Sequence, residues 1–174
     1  MVPARVAIAG VLLVLAVLIQ TVVLSPMRLH GAVPDVVLVV VIAFGIATDS
    51  ATGAMVGFAG GLLLDLVPPA DGTVGRWALV LTVAGWLAGK YRLSAERGVL
   101  SPLLVVVAIV PAALLGYAGL GFLLGDERVT GAGIASSVPF ATLYDVVLAA
   151  FVVPAVAALV RRTRRATGPA ASRW

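Results

Sequence analysis

Residues 33–69 read VPDVVLVVVIAFGIATDSATGAMVGFAGGLLLDLVPP, two apolar runs separated by a short polar break. The first run, 33–48, contains a favourable helix-start residue, Asp35. The second, 51–67, is rich in glycine and is followed by two prolines, which end helices. The pattern therefore predicts a tight hairpin of two apolar helices. Because the first run barely reaches across a bilayer, a re-entrant pair is the alternative to two full spans.

The rest of the chain is similarly apolar. Of its 174 residues, 61% are hydrophobic and 11% are charged, with a mean hydropathy of +1.15. A soluble domain is closer to half apolar and a quarter charged. There is too little polar surface here to cover a soluble globule, so the composition indicates a protein that is surrounded by the lipid bilayer.

Six apolar runs predict an all-α membrane protein with six transmembrane helices. The predicted spans are 6–24, 33–48, 51–67, 74–89, 100–124 and 134–160. At about 1.5 Å per residue, the first run is long enough to cross the hydrocarbon. No small-x-small cleavage site follows it, which favours a span over a signal peptide. Residues 1–165 are thus predicted to form one six-span domain, and 166–174 a short basic tail.

The basic residues predict the orientation, because they gather on cytoplasmic loops. With the N-terminus in the cytoplasm, the inner segments hold nine of the twelve basic residues: Arg5, Lys90, Arg92, Arg97, Arg161, Arg162, Arg164, Arg165 and Arg173. The outer segments hold Arg28, Arg76 and Arg128. Both termini are therefore predicted to be cytoplasmic. No nucleic-acid partner is expected, because no soluble face is left to carry a basic patch.

The residue types argue against catalysis and metal binding. The chain has no cysteine and one histidine, His30, so neither a thiolate site nor a histidine-based metal site or triad can be assembled. No phosphate-binding glycine loop with a lysine is present. A pair of intramembrane aspartates would suit an aspartyl protease, but the expected Gly-x-Gly-Asp segment is missing. The sequence predicts no enzyme, no cofactor and no metal.

Three polar residues within or beside the apolar runs are candidate functional residues, since ionisable groups in membranes are costly. Asp65 and Arg76 lie at the outer ends of adjacent spans, so a structural ion pair and a ligand site are both open. Asp145 lies inside the sixth run with no evident basic partner. It is expected to be protonated, to bond a neighbouring helix, or to line a polar cavity.

Regularly spaced glycines predict a smooth helix face. Gly53, Gly57 and Gly61 recur every four residues on the third span, and Gly85 and Gly89 repeat this spacing on the fourth. Small residues at this spacing let another backbone approach closely. They are predicted to pack against a helix, either inside the protein or in a partner.

Residues 34–90 resemble the signature region of MreD, the rod shape-determining membrane protein. The matching features are the glycine-rich stretch 53–66 with its Leu-Leu-Asp-Leu end, the glycine-containing loop 72–75 and Trp77 at the opening of the next helix. The sixth span, with Pro154, is also similar. The resemblance covers nearly the whole chain in its layout of spans.

The resemblance implies a non-enzymatic scaffold subunit of the cell-elongation complex in the bacterial plasma membrane. Its implied partners are an MreC-like bitopic protein and, through it, MreB, RodA and a penicillin-binding transpeptidase. It also implies a fold similar to the six-helix S-components of energy-coupling-factor transporters. A substrate-binding subunit of such a vitamin transporter is therefore the alternative function.

Overall fold

The computed structural model describes residues 2–26, 32–67, 74–92, 100–126 and 130–165. In these ranges the chain forms six helices: α1, Val2–Leu18, which continues as a π-helical segment, Ile19–Leu24; α2, Val36–Ala47; α3, Ser50–Leu66; α4, Arg76–Lys90; α5, Ser101–Leu123; and α6, Gly131–Arg165. The all-α architecture is thus confirmed. The predicted loop residues Arg28, His30, Arg97 and Arg128 and the tail 166–174 lie outside the described residues.

The helices differ in their ability to cross a bilayer. Three segments are long and apolar enough to span it: Arg5–Leu24, Ser101–Leu123 and Gly133–Thr163. The α2–α3 hairpin has helices of 12 and 17 residues. At 1.5 Å per residue, α2 is only about 18 Å long, against about 30 Å of hydrocarbon. The six predicted spans therefore correspond to three full-length helices and three shorter ones.

The short helix α2 is the centre of the bundle. Its ten residues from Val36 to Gly45 are all buried, and it packs on α1, α3, α4, α5 and α6. A helix that is apolar on every side is stable only where every side is covered. Because protein surrounds α2, its length need not match the thickness of the bilayer.

Aspartates cap both helices of the hairpin. The Asp35 carboxylate accepts a hydrogen bond from the Leu38 amide at 2.9 Å, and the Asp49 carboxylate accepts one from the Thr52 amide at 2.9 Å. Each satisfies an N–H group that the first helical turn leaves without a partner. In the exposed α2–α3 turn, the hydrogen bond from Thr52 holds the pKa of Asp49 below its ordinary value.

Contacts between helix ends show that α2 and α4 run in the same direction and that the first helix runs opposite to α2. The Arg92 guanidinium donates to the Thr48 carbonyl at 2.6 Å, which joins the end of α4 to the end of α2. At the other end, the Val37 amide donates to Oε1 of Gln20 at 3.0 Å, which joins the start of α2 to the end of the first helix.

Charge is segregated between the two ends of the bundle. We call the end where α2, α4 and α6 begin the acidic end; it carries Asp35, Asp65, Asp126 and Asp145, together with Arg76. The opposite, basic end carries Arg5, Lys90, Arg92, Arg161 and Arg162, and its one acidic residue in the described ranges is Asp49. If the basic end faces the cytoplasm, this segregation follows the positive-inside rule. The orientation of the termini stays a prediction.

Candidate functional site at the acidic end

Asp65 caps the N-terminus of α4. Its Oδ2 accepts hydrogen bonds from the amides of Gly75 at 2.9 Å and Ala78 at 3.0 Å, and its Oδ1 accepts from the Trp77 amide at 3.2 Å. The side chain is buried. The start of a helix offers unpaired N–H groups and a partial positive charge, both of which a carboxylate stabilises. The carboxylate at the end of α3 thereby fixes the start of α4.

The turn that presents these amides depends on Gly75. This residue has a φ of 96°, in the left-handed region that residues with a Cβ rarely adopt. The conformation places the Gly75 amide in line with the following helical amides, all directed at Asp65. The glycine at position 75 of the sequence motif is therefore required by the backbone conformation of this turn.

Arg76 does not form the predicted ion pair with Asp65. Its Nη1 instead lies 2.9 Å from Oδ2 of Asp126, and its Nε donates to the Tyr117 carbonyl at 2.8 Å. The physical reason is that Asp65 is occupied by backbone amides, while the Arg76 side chain extends towards α5. Of the two alternatives for these residues, the direct Asp65–Arg76 ion pair is not formed.

Aromatic and glycine residues enclose the Arg76 guanidinium. The group lies 3.6 Å from the centre of the Tyr117 ring, and this ring stacks on Trp77 with 4.0 Å between centroids. Gly121 leaves space on the α5 side, where a Cβ atom would lie 2.5 Å from Cζ of Arg76. A cation over an aromatic face is stabilised by the ring quadrupole. Arg76 therefore connects α4 to α5.

The Arg76–Asp126 pair is testable by a double-mutant cycle. We expect Arg76→Met and Asp126→Asn to couple by about 1 kcal/mol or more, because the buried guanidinium loses its counter-charge when Asp126 is neutral. Denaturant unfolding of the purified protein in detergent measures this coupling. Additive effects would contradict a direct pair. Exchanging Asp65 with Arg76 is not expected to restore stability.

A second polar cluster joins α2 to α6. The Asp35 amide donates to Oδ1 of Asp145 at 2.7 Å, across 110 residues of sequence. The Gln20 side chain accepts from the Val37 amide at 3.0 Å, beside Asp35 at the same helix start. Of the three alternatives for Asp145, the structure thus shows a hydrogen bond to a neighbouring element. Its Oδ2 is buried without a hydrogen-bond partner among the described residues.

The predicted glycine face lies inside the protein. Gly53, Gly57 and Gly61 of α3 contact the backbone of α4, and Gly85 and Gly89 of α4 contact the backbone of α3 or its N-terminal cap. A Cβ atom on Gly57 would lie 2.6 Å from the Leu81 carbonyl carbon, and one on Gly85 would lie 2.6 Å from the Gly53 carbonyl carbon. The two backbones are therefore in direct contact, and this face is closed to a helix from another protein.

Three of these polar residues were missed as site residues by the sequence reasoning. In the sequence, Asp35 indicates only a helix start, Asp126 lies just beyond the fifth predicted span, and Gln20 lies within the first. The available signal for Gln20 was a lone amide inside the first apolar run. Among the described residues, no group of three or more His, Cys, Asp or Glu side chains could hold a metal ion.

These observations define a class, a polytopic α-helical membrane protein built around a buried central helix, α2, with polar clusters at one end. The sequence matches the family model described as rod shape-determining protein MreD over residues 4–163. The chain therefore belongs to the MreD family, as the resemblance predicted. Proteins of this family belong to the MreBCD cell-shape complex, and the family is not a known enzyme family.

The other comparisons add no relative. No curated protein and no solved structure matches this sequence. The predicted similarity to the S-components of vitamin transporters stays a prediction.

Proposed function

We propose that this chain is a non-enzymatic membrane scaffold that binds the transmembrane helix of an MreC-type bitopic protein and so helps position peptidoglycan synthesis. Through that partner it would connect to MreB, RodA and a penicillin-binding transpeptidase. Membership of the MreD family supports the role in rod shape. The observation that carries the proposal of a helix partner is a groove between α4 and α5.

The α4–α5 groove is apolar and open, with a volume of about 470 Å³. On the α5 side it is lined by small residues, among them Ala112, Gly116 and Gly119. These three are exposed, and no atom lies within 4 Å of a Cβ position on either glycine. In contrast to the glycines of α3, those of this groove have no helix against them in the described chain.

The physics of helix association in lipid favours this groove as the partner site. Apolar helices gain little from leaving the lipid, so association depends on close packing at small residues. The spacing of Ala112, Gly116 and Gly119 places them on one face of α5. Leu79 and Val83 of α4, which are about half exposed, form the opposite wall. A groove without charge suits an apolar membrane helix better than a soluble segment.

The alternative function, a vitamin-binding transporter subunit, would need free polar groups at the outer ends of the helices. At the acidic end, Asp65 is occupied by three backbone amides and Arg76 by Asp126 and Tyr117. Both residues therefore stabilise the packing of the helices: Asp65 caps α4, and Arg76 connects α4 to α5. Neither Asp65 nor Arg76 therefore favours the transporter function.

Filling the groove tests the proposal. We expect Gly116→Leu and Gly119→Leu to reduce co-purification of the MreC-type partner about tenfold or more, because overpacking a helix contact costs about 1–3 kcal/mol. The variants should stay folded, because their Cβ positions are open. The measurement is the amount of partner retained per folded chain after affinity purification from membranes.

Gly10→Leu is the matched control. Gly10 is also a helical glycine with no atom within 4 Å of its Cβ position, but it lies on α1, away from the α4–α5 groove. This variant should retain the partner. Undiminished binding by folded Gly116→Leu and Gly119→Leu proteins would overturn the assignment of the groove.

A further inference from the structure

The side chain of Asp145 meets the backbone of a second acidic residue, Asp35, at the contact of α2 with α6, and the proposed scaffold role uses neither residue. Asp145 has an exposure of 0% and Asp35 of 5%. The Asp35 amide and Oδ1 of Asp145 are 2.7 Å apart, so the residues are in direct contact. Within the described part of the chain, Oδ2 of Asp145 accepts and donates no hydrogen bond.

The surroundings of the two carboxyl groups differ. Asp35 stands at the N-terminus of α2 and accepts from the Leu38 amide, and the uncharged Gln20 side chain accepts from the nearby Val37 amide. A helix N-terminus stabilises a negative charge. Asp145 lies inside α6, is fully buried and accepts a single hydrogen bond, from the amide of another acidic residue, Asp35. Only Asp35 is therefore equipped to remain ionised.

Burial without compensation disfavours the ionised form of a carboxyl group much more than its neutral form. Two carboxyl groups in one site avoid a double negative charge by keeping one proton between them. We propose that Asp35 and Asp145 form a proton-binding site inside the bundle, in which Asp145 is a neutral carboxylic acid at neutral pH and Asp35 is ionised.

The site couples a proton to the packing of two helices. Asp35 opens the central helix α2, and Asp145 belongs to α6, which packs along it. An ionised Asp145 would place a second negative charge at this contact. The bound proton therefore keeps α2 and α6 together.

Infrared spectroscopy tests the proton directly. The full-length chain is prepared with aspartate labelled with carbon-13 at the side-chain carboxyl and is measured in lipid vesicles at neutral pH. We expect a carbonyl band of a neutral carboxylic acid in the wild-type protein. The band should be lost in Asp145→Asn and retained in the matched control Asp49→Asn, which changes an exposed aspartate.

Folding of the variant gives a second, independent result. Asparagine is a neutral isostere of a protonated aspartate, so Asp145→Asn should yield folded protein within twofold of the wild type. A wild-type spectrum without the neutral-acid band would overturn the proposal. So would a band that persists in Asp145→Asn, or an Asp145→Asn protein that fails to fold.

Discussion

Replacing Gly57 with leucine is expected to remove most of the folded protein. The Cβ atom alone would overlap the Leu81 carbonyl group, and two helix backbones in contact have no flexible atom that could move aside. Overpacking costs about 1–3 kcal/mol where side chains can adjust, and more where they cannot. We expect a loss of about 3 kcal/mol or more, measured by thermal unfolding and by the yield of monodisperse protein in detergent.

The matched control for Gly57 is Gly10, whose Cβ position is open. Gly10→Ala should leave stability unchanged or slightly raised, because alanine has the higher helix propensity. Gly57→Ala should already be destabilising, since the overlap begins at Cβ. If the two alanine variants unfold at the same temperature, the α3–α4 backbone contact is not as described. If Gly57→Leu then failed to bind the MreC-type partner, disruption of the α3–α4 contact could not be the reason.

Replacing Asp65 with alanine is expected to have the second large effect. Three backbone amides at the start of α4 lose their acceptor, and an unsatisfied buried donor costs about 1–3 kcal/mol. We expect a total of about 3 kcal/mol or more in the free energy of unfolding. Asp65→Asn should be intermediate, because it keeps one acceptor oxygen and loses the charge that the helix N-terminus favours. Denaturant unfolding in detergent measures both.

Asp49→Ala is the control for Asp65→Ala. Asp49 is also an N-cap, but its side chain is exposed, so its loss should cost only about 1 kcal/mol. Equal losses in the two variants would mean that burial adds nothing to the Asp65 cap. That result would contradict the explanation that the aspartate of the Leu-Leu-Asp-Leu element stabilises the fold as a buried cap of α4.

The helices could be predicted from the sequence because the bilayer imposes strong rules on composition. Apolar runs bounded by proline, glycine or charge give each helix to within a few residues. The hairpin at residues 33–67 and the glycine face at Gly53, Gly57 and Gly61 follow from the same local patterns. These features depend on neighbours in sequence, which a pattern captures.

The environment of each helix could not be predicted in the same way. The sequence of α2 is as apolar as a lipid-facing span, yet protein encloses it on all sides. Hydropathy cannot separate the two cases, because a neighbouring helix and a lipid tail are equally apolar. Likewise, the four-residue spacing of the glycines predicted a packing face but did not indicate which helix packs on it.

Long-range polar contacts were also beyond the sequence. A pair of Arg76 with Asp65, 11 residues away in the chain, was one of two alternatives, but the Arg76 side chain extends to Asp126, 50 residues away. The Asp35–Asp145 contact spans 110 residues. The choice of partner depends on helix order and on which acceptors are already occupied, and neither property is visible in a single sequence.

We propose that the partner's transmembrane helix binds in the α4–α5 groove, and not in the second groove of about 470 Å³, which lies between α1 and α3 and is lined by Gly10. The chain has no cysteine, so a single cysteine at Gly116 can be cross-linked to cysteines placed along the membrane helix of the MreC-type protein. We predict a disulfide from Gly116→Cys and none from Gly10→Cys. Cross-linking at Gly10 with none at Gly116, in a complex that still co-purifies, would contradict the account.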